Sequence, residues 1–242
     1  MSLIRPFAGL RPAPGRAAEV IAPPYDVLST EEARVRAQGR PWNFLHISKP
    51  EIDLPAGTDP YSAAVYAKGR ENFEKMLKEG VLGRDPEPRY YVYRLVMGAH
   101  HQTGIVAAAS VPDYDSNRIR KHEFTRPDKE DDRVRQIDAL NAQTGPVFLT
   151  YRRSPAVDAI VESVTRGAPD VDVTADDGVR HSLWVMGERS RIDAITSAFD
   201  AMPCLYIADG HHRSAAASRV AAARKKANPK HTGEEPCNYF LV

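Results

Sequence analysis

Cysteine is nearly absent: 242 residues hold two, Cys204 and Cys237. Two thiols exclude a disulfide framework, and each reads as a small core side chain. No apolar run approaches the roughly 20 residues a spanning helix needs. Arg5, Pro6 and Pro12 stand where a signal peptide requires an apolar segment. An excess of one charge sign is also missing. Lys and Arg total 33 against 32 Asp and Glu, a net charge of +1, so the whole chain carries no electrostatic footprint for duplex DNA. The Gly-x-x-x-x-Gly-Lys-Ser/Thr loop of P-loop enzymes does not occur, which disfavours a Walker-type mechanism. These absences predict a cytoplasmic protein in a reducing compartment with no membrane partner.

What is present suffices for a sizeable core: 42% apolar and 27% charged residues, in a length fit for one large domain or two small ones. The first 28 residues are rich in proline yet carry Ile4, Phe7, Leu10, Val20, Ile21, Tyr25 and Val27, which predicts an irregular segment packed onto a core. Ser29-Thr30-Glu31-Glu32 signals a helix start, with the helix running to about Gln38. A long amphipathic helix is expected over Tyr61 to Glu79, ended by Gly80. Arg89 to Met97 reads as a strand, residues 98–102 as a turn and Thr103 to Val111 as the returning strand. His100 and His101 at that turn are expected to be solvated, and His46 to be a satisfied core residue. Val171 to Thr174 and His181 to Val185 form a hairpin across Asp177-Gly178. The irregular alternation of strands and helices predicts an α+β fold, a mixed sheet with peripheral helices.

The chemistry concentrates near the C-terminus. Leu205-Tyr206-Ile207-Ala208 is a short apolar run that breaks at Asp209-Gly210 and passes through His211-His212-Arg213 into an Ala-rich segment reaching Lys226. The pattern predicts strand, tight turn and helix, with Asn228-Pro229 as the stop. The first N–H groups of a helix lack intrahelical acceptors and lie at the positive end of its dipole. Gly210 admits close approach to the backbone, Arg213 offers a planar fork for phosphate oxygens, and His211 and His212 can donate. Residues 209–213 therefore predict a seat for phosphate. Asp209 would repel the same anion, which leaves it to orient a histidine, hold a cation or act as a base. The competing reading is a helix start with polar caps and no ligand.

Lys121-His122-Glu123 forms a second loaded stretch. A cation, an imidazole and a carboxylate suit phosphate neutralisation with proton transfer. In a strand, Lys121 and Glu123 would share a face and His122 would turn away. Residues 128–135 read as a solvated, salt-bridged helix. Pro23-Pro24-Tyr25-Asp26 is a rigid carrier for an aromatic ring and a carboxylate. Asn141-Ala142-Gln143-Thr144-Gly145-Pro146 closes a helix; its polar side chains either contact ligand or tie the turn down, the second being favoured. Arg219, Arg224, Lys225, Lys226 and Lys230 make the end of the Ala-rich helix basic. Those cations complement the helix C-terminus or, less favoured, touch a nucleic-acid backbone.

Six stretches carry a family resemblance: Ile4-Arg5-Pro6-Phe7, residues 22–27, Asn43-Phe44-Leu45-His46, Lys121-His122-Glu123, residues 141–146 and residues 208–213. Together they resemble the bacterial and archaeal family known as domain of unknown function 1015. Residues 209–213 with Ala216 also look like the Gly-x-x-Arg-x-x-Ala box of the ParB/sulfiredoxin superfamily, to which the free serine kinases are related. The resemblance implies a ParB/sulfiredoxin-like unit around residues 200–242. It also implies a single α+β domain over 1–242 that is truncated at the C-terminus, since family members continue past this point. It implies a phosphate- or nucleotide-binding protein, a small-molecule kinase acting on a hydroxyl acceptor such as free serine.

In that scheme Gly210, His211, His212, Arg213, Lys121 and His122 would hold phosphate or nucleotide. Glu123, Asp209 and His211 would be catalytic, and Tyr25, Asp26, Asn141 and Thr144 would meet the substrate. Asp209 would carry a Mg²⁺ ion accompanying ATP, ADP or pyrophosphate as donor. The alternatives are a ParB-like nucleotide-binding, DNA-associated partitioning or regulatory module without catalysis, and hydrolysis of a phosphorylated small molecule in the same pocket.

Overall fold

A computed structural model describes residues 2–242. In chain order the elements are β1 (Ile4–Arg5), β2 (Leu10–Pro12), α1 (Ala17–Val20), α2 (Thr30–Ala37), α3 (Leu45–Ser48), α4 (Ala63–Lys78), β3 (Leu82–Arg84), β4 (Tyr90–Met97), β5 (His100–Val106), β6 (Ala108–Ser110) and α5 (Val111–Asp115). They continue as β7 (Ile119–Arg120), α6 (Pro127–Leu140), β8 (Phe148–Thr150), α7 (Pro155–Thr165), β9 (Val171–Thr174), β10 (Arg180–Met186), α8 (Arg189–Asp200), β11 (Leu205–Asp209), α9 (His211–Ala227) and β12 (Tyr239–Leu241). The fold is α+β.

The strands divide among four sheets, ordered β1-β6-β12, β5-β4-β10-β9, β7-β11-β8 and β2-β3, rather than joining one mixed sheet. Only β7-β11-β8 is mixed: β11 runs parallel to β7 and antiparallel to β8. The division has a local cause in the returning strand. Residues 100–106 pair with β4, and residues 108–110 pair with β1 and β12. Between them the fully buried Ala107 exchanges two backbone hydrogen bonds with Val242, so one extended stretch serves two sheets. The hairpin turn is also tighter than expected. It is Gly98-Ala99 alone, with Gly98 at φ +59°, a conformation glycine adopts without a Cβ penalty. His100 and His101 therefore belong to β5, where both are exposed.

Several local signals are realised directly. Ser29 accepts from the Glu32 backbone N–H while the Glu32 carboxylate accepts from the Ser29 N–H, a capping box that starts α2. The proline-rich opening is packed down: Leu3 and Ile4 are buried, and Phe7 meets Tyr91 edge-to-face with ring centres 5.4 Å apart. The Gly9 N–H donates to Tyr91 Oη at 2.8 Å, and a Cβ at residue 9 would come within 2.7 Å of that oxygen. His46 is satisfied by Asp53 and the Arg40 carbonyl, as a non-ligand histidine should be. Cys204 and Cys237 are free thiols but only half-buried.

The main core lies between the β5-β4-β10-β9 sheet, α7, α8 and β11, with Tyr90, Val92, Trp184, Ile195, Leu205 and Ile207 at its centre. Burying each of these side chains contributes about 1.5–3 kcal/mol. Leu205 and Ile207 anchor β11 in that core, and α9 follows at once. Ala215, Ala216, Ala217 and Ala221 are buried along α9, so its backbone packs closely on its neighbours. On its outer side Arg219 pairs with Glu130 and Asp131, and Arg224 with Asp138 and Asn141, docking α9 onto α6. Two of the cations considered for a nucleic-acid backbone are thus engaged inside the molecule. Among the described residues no helix is long and apolar enough to cross a membrane.

Candidate functional site

The end of β11 decides where the site opens. Burial alternates along Leu205-Tyr206-Ile207 and then stops, because the pairing with β8 shifts register between Ile207 and Asp209. Such an irregularity re-aims the side chain that follows, and Asp209 emerges exposed. Gly210 takes φ +98° and ψ 28°, and α9 begins with no side chain capping it. A non-glycine residue would be strained there. The helix start is therefore left with its first amides uncapped, as an anion seat requires.

Arg213 lies over this turn. Its Nη2 donates to Asp209 Oδ2 at 2.6 Å, its Nη1 stands 3.7 Å from Asp26 Oδ2, and its Nε is buried without a partner. A Cβ on Gly210 would sit 3.0 Å from Arg213 Nε, and a Cβ on Gly145 3.0 Å from Arg213 Cδ. The Arg213 side chain thus packs closely against two glycines, where a side chain at either position would crowd it. Arg213, Asp209 and Asp26 face a cavity of about 1180 Å³. Its walls are the 18–27 segment, α2 and α3, the β5-β4-β10-β9 sheet, α6 and the 143–146 turn.

The predicted residues fall into two groups around the first turn of α9. Tyr25, Asp26, Thr144, Asp209 and Arg213 line the cavity, with Tyr25 lying under the Arg133 guanidinium at 4.2 Å. The second group lies elsewhere. His211 is buried, its Nδ1 is 3.3 Å from Glu123 Oε2, its ring meets His122 edge-to-face at 4.4 Å, and its Nε2 is unpartnered. Burial, then the neighbouring His122, holds the His211 imidazole below the ordinary histidine pKa. His212 Nε2 accepts from the Arg126 N–H at 3.1 Å. Lys121 Nζ lies 3.9 Å from the centre of the Tyr114 ring.

The alternation expected of Lys121-His122-Glu123 does not hold. Strand β7 ends at Arg120, so these residues are loop, and His122 and Glu123 converge on His211 while Lys121 goes elsewhere. Asn141 adopts a left-handed backbone at the end of α6, and its Oδ1 accepts from Arg224. Gln143 donates to the Tyr239 carbonyl and accepts from the Leu241 N–H. These two tie the turn down, and Gln143 and Thr144 both line the cavity. No group of three or more His, Cys, Asp or Glu able to hold a metal ion comes together among the described residues. The Asp209 and Asp26 carboxylates both face the Arg213 guanidinium, at 2.6 and 3.7 Å.

A family model described as "Protein of unknown function (DUF1015)" matches residues 4–242. The chain belongs to that family. No curated protein and no solved structure matches it. The cavity of this DUF1015 member also contains residues that no motif singled out. Arg36 and Arg40 come from α2 and the turn after it, Arg133 from α6, and Tyr93 and His181 from the sheet. The one available signal was the alternation Tyr93, Leu95, Met97, which places three side chains on one sheet face.

Proposed function

We propose that this protein binds a phosphorylated small molecule at the first turn of α9 and transfers its phosphoryl group to a hydroxyl acceptor held in the same cavity. One observation carries the reading: Arg213, laid over an uncapped helix start close to Gly145 and Gly210, lines a cavity of about 1180 Å³ together with Asp209. The dipole and the amides favour an anion, and the Arg213 fork adds charge-assisted hydrogen bonds. The Asp209 and Asp26 carboxylates that now face Arg213 oppose an entering phosphate. A divalent cation bound to the phosphates offsets that repulsion, with Asp209 as its protein ligand. Asp26 stands beyond hydrogen-bond distance of Arg213 and yields to the phosphate first.

Of the candidate bases, Asp26 and Asp209 line the cavity, so either can accept the proton of an acceptor hydroxyl there. Glu123, His122 and His211 occupy the other side of the turn, where they order the loop that flanks it. A ParB/sulfiredoxin-like unit built on β11 and α9 agrees with this use of the turn, as does an acceptor such as free serine. The DNA-associated alternative loses support from the pairing of Arg219 and Arg224 with α6.

Thermal shift with ATP, ADP, pyrophosphate and phosphoserine, each with and without Mg²⁺, tests the binding. Stabilisation by at least one ligand that disappears in Arg213→Ala supports the seat. Indifference to all of them removes it. Transfer of label from the stabilising donor to free serine then tests the reaction.

A further inference from the structure

Two walls of the cavity differ in chemistry. At the α9 wall stand Arg213, Asp209 and Asp26. On the sheet wall, Tyr93, Leu95 and Met97 occupy alternate positions of β4, and His181 of β10 lies directly across from Leu95. The Tyr93 hydroxyl and His181 Nδ1 are 2.5 Å apart. Burial pushes the Tyr93 phenol up to about 12 and depresses the His181 imidazole, so both are neutral near pH 7. A protonated phenol then donates to Nδ1, which places the ring proton of His181 on Nε2. The wall thus carries a neutral N–H donor on His181 beside Leu95 and Met97, with Gln102 across from Leu95 and His100 across from Met97 also lining it. The charged groups lining the cavity near it are of both signs: Arg40 pairs with Asp176 at 2.5 Å, Arg36 also acts on Asp176, and Asp177 accepts from the Val179 N–H.

We propose that the Tyr93–His181 wall receives the heterocyclic base of a nucleoside phosphate whose phosphates rest on the first turn of α9. The inference rests on the phosphate seat proposed above and names its ligand class. A planar ring with a nitrogen or carbonyl acceptor matches a neutral donor set among Leu95, Met97 and Val179. A second phosphate there would face a phenol and a neutral imidazole, while the Arg36 and Arg40 cations that share the cavity are engaged by Asp176. The cavity is also larger than a bare phosphate or pyrophosphate needs, and its volume is of the order that encloses ligands of nucleotide size.

Calorimetric titration of wild type, His181→Gln and Tyr93→Phe with Mg²⁺ and ATP, GTP or inorganic tripolyphosphate decides the point. The expected result is that ATP or GTP binds wild type more tightly than tripolyphosphate. Each variant then loses about tenfold for that nucleotide, the scale of one hydrogen bond in a water-poor site, and binds tripolyphosphate unchanged. If tripolyphosphate binds wild type as tightly as both nucleotides, or if the variants weaken all ligands equally, the base subsite is wrong and the phosphate seat stands. If Arg213→Ala leaves every titration unchanged, or none of the ligands binds wild type, the seat itself is wrong and this inference falls with it.

Discussion

His211 and Arg213 are two residues apart, yet they serve different regions of the molecule. Arg213 reaches into the cavity between Asp209 and Asp26, while His211 is buried against Glu123 and His122 and does not line it. The cause is helical geometry: two residues along a helix turn the side chain through about 200°, so neighbours at that spacing face opposite ways. A run of reactive residue types at a helix start is therefore two half-sites. One faces open space and suits a ligand. The other faces a loop and orders it.

The strongest way to break this comparison is Arg213→Ala. Phosphate-ligand affinity is expected to fall about 100-fold, since charge-assisted hydrogen bonds contribute about 1.5–3 kcal/mol each; calorimetry reads the loss. Arg213→Lys, which keeps the charge without the planar fork, should fall between. Next in size is Gly210→Ala. The left-handed backbone at φ +98° and the 3.0 Å approach to Arg213 Nε both resist a methyl group. A loss of about 1–3 kcal/mol in urea unfolding is expected, together with weaker phosphate binding.

The third test contrasts two histidines with opposite linkage. The hydrogen bond to Asp53 raises the His46 pKa above the ordinary 6.5, whereas burial lowers that of His211 below it. His46 therefore stabilises fully below pH 6.5, and its contribution fades as pH rises through its folded value. His211, neutral in the fold, costs nothing above pH 6.5, but stability is lost as pH falls from there toward its folded value. Unfolding at about pH 5 and about pH 8 should show the margin of wild type over His46→Gln larger in acid. The margin over His211→Gln should be larger in base. Equal margins for His211 would show that it titrates normally and is not held neutral.

The smallest effect is expected of Glu123→Gln. Glu123 is half-exposed, so its contact with His211 contributes no more than about 1 kcal/mol. Phosphate binding in the cavity should stay within about twofold, in line with that small contact energy. A large loss of affinity would mean that the two sides of the turn hold one ligand after all.

Local sequence alone was enough for those features whose energetics are local. The Ser29–Glu32 capping box, the α4 pattern ending at Gly80, the hairpin across Asp177-Gly178 and the β11–Gly210–α9 succession all rest on residues within a few positions of one another. Tertiary packing decided the rest. Which strands share a sheet depended on long-range pairing, as at Ala107, where an extended stretch passes from β4 to β1 and β12. Which side chains share the cavity depended on bringing residues 25–26, 93, 133, 145, 181 and 213 together from distant elements. Periodicity reports the direction in which a side chain leaves its own helix or strand. What it meets there is fixed by the packing of other elements, and that left Arg213 facing an open cavity and His211 facing Glu123 and His122.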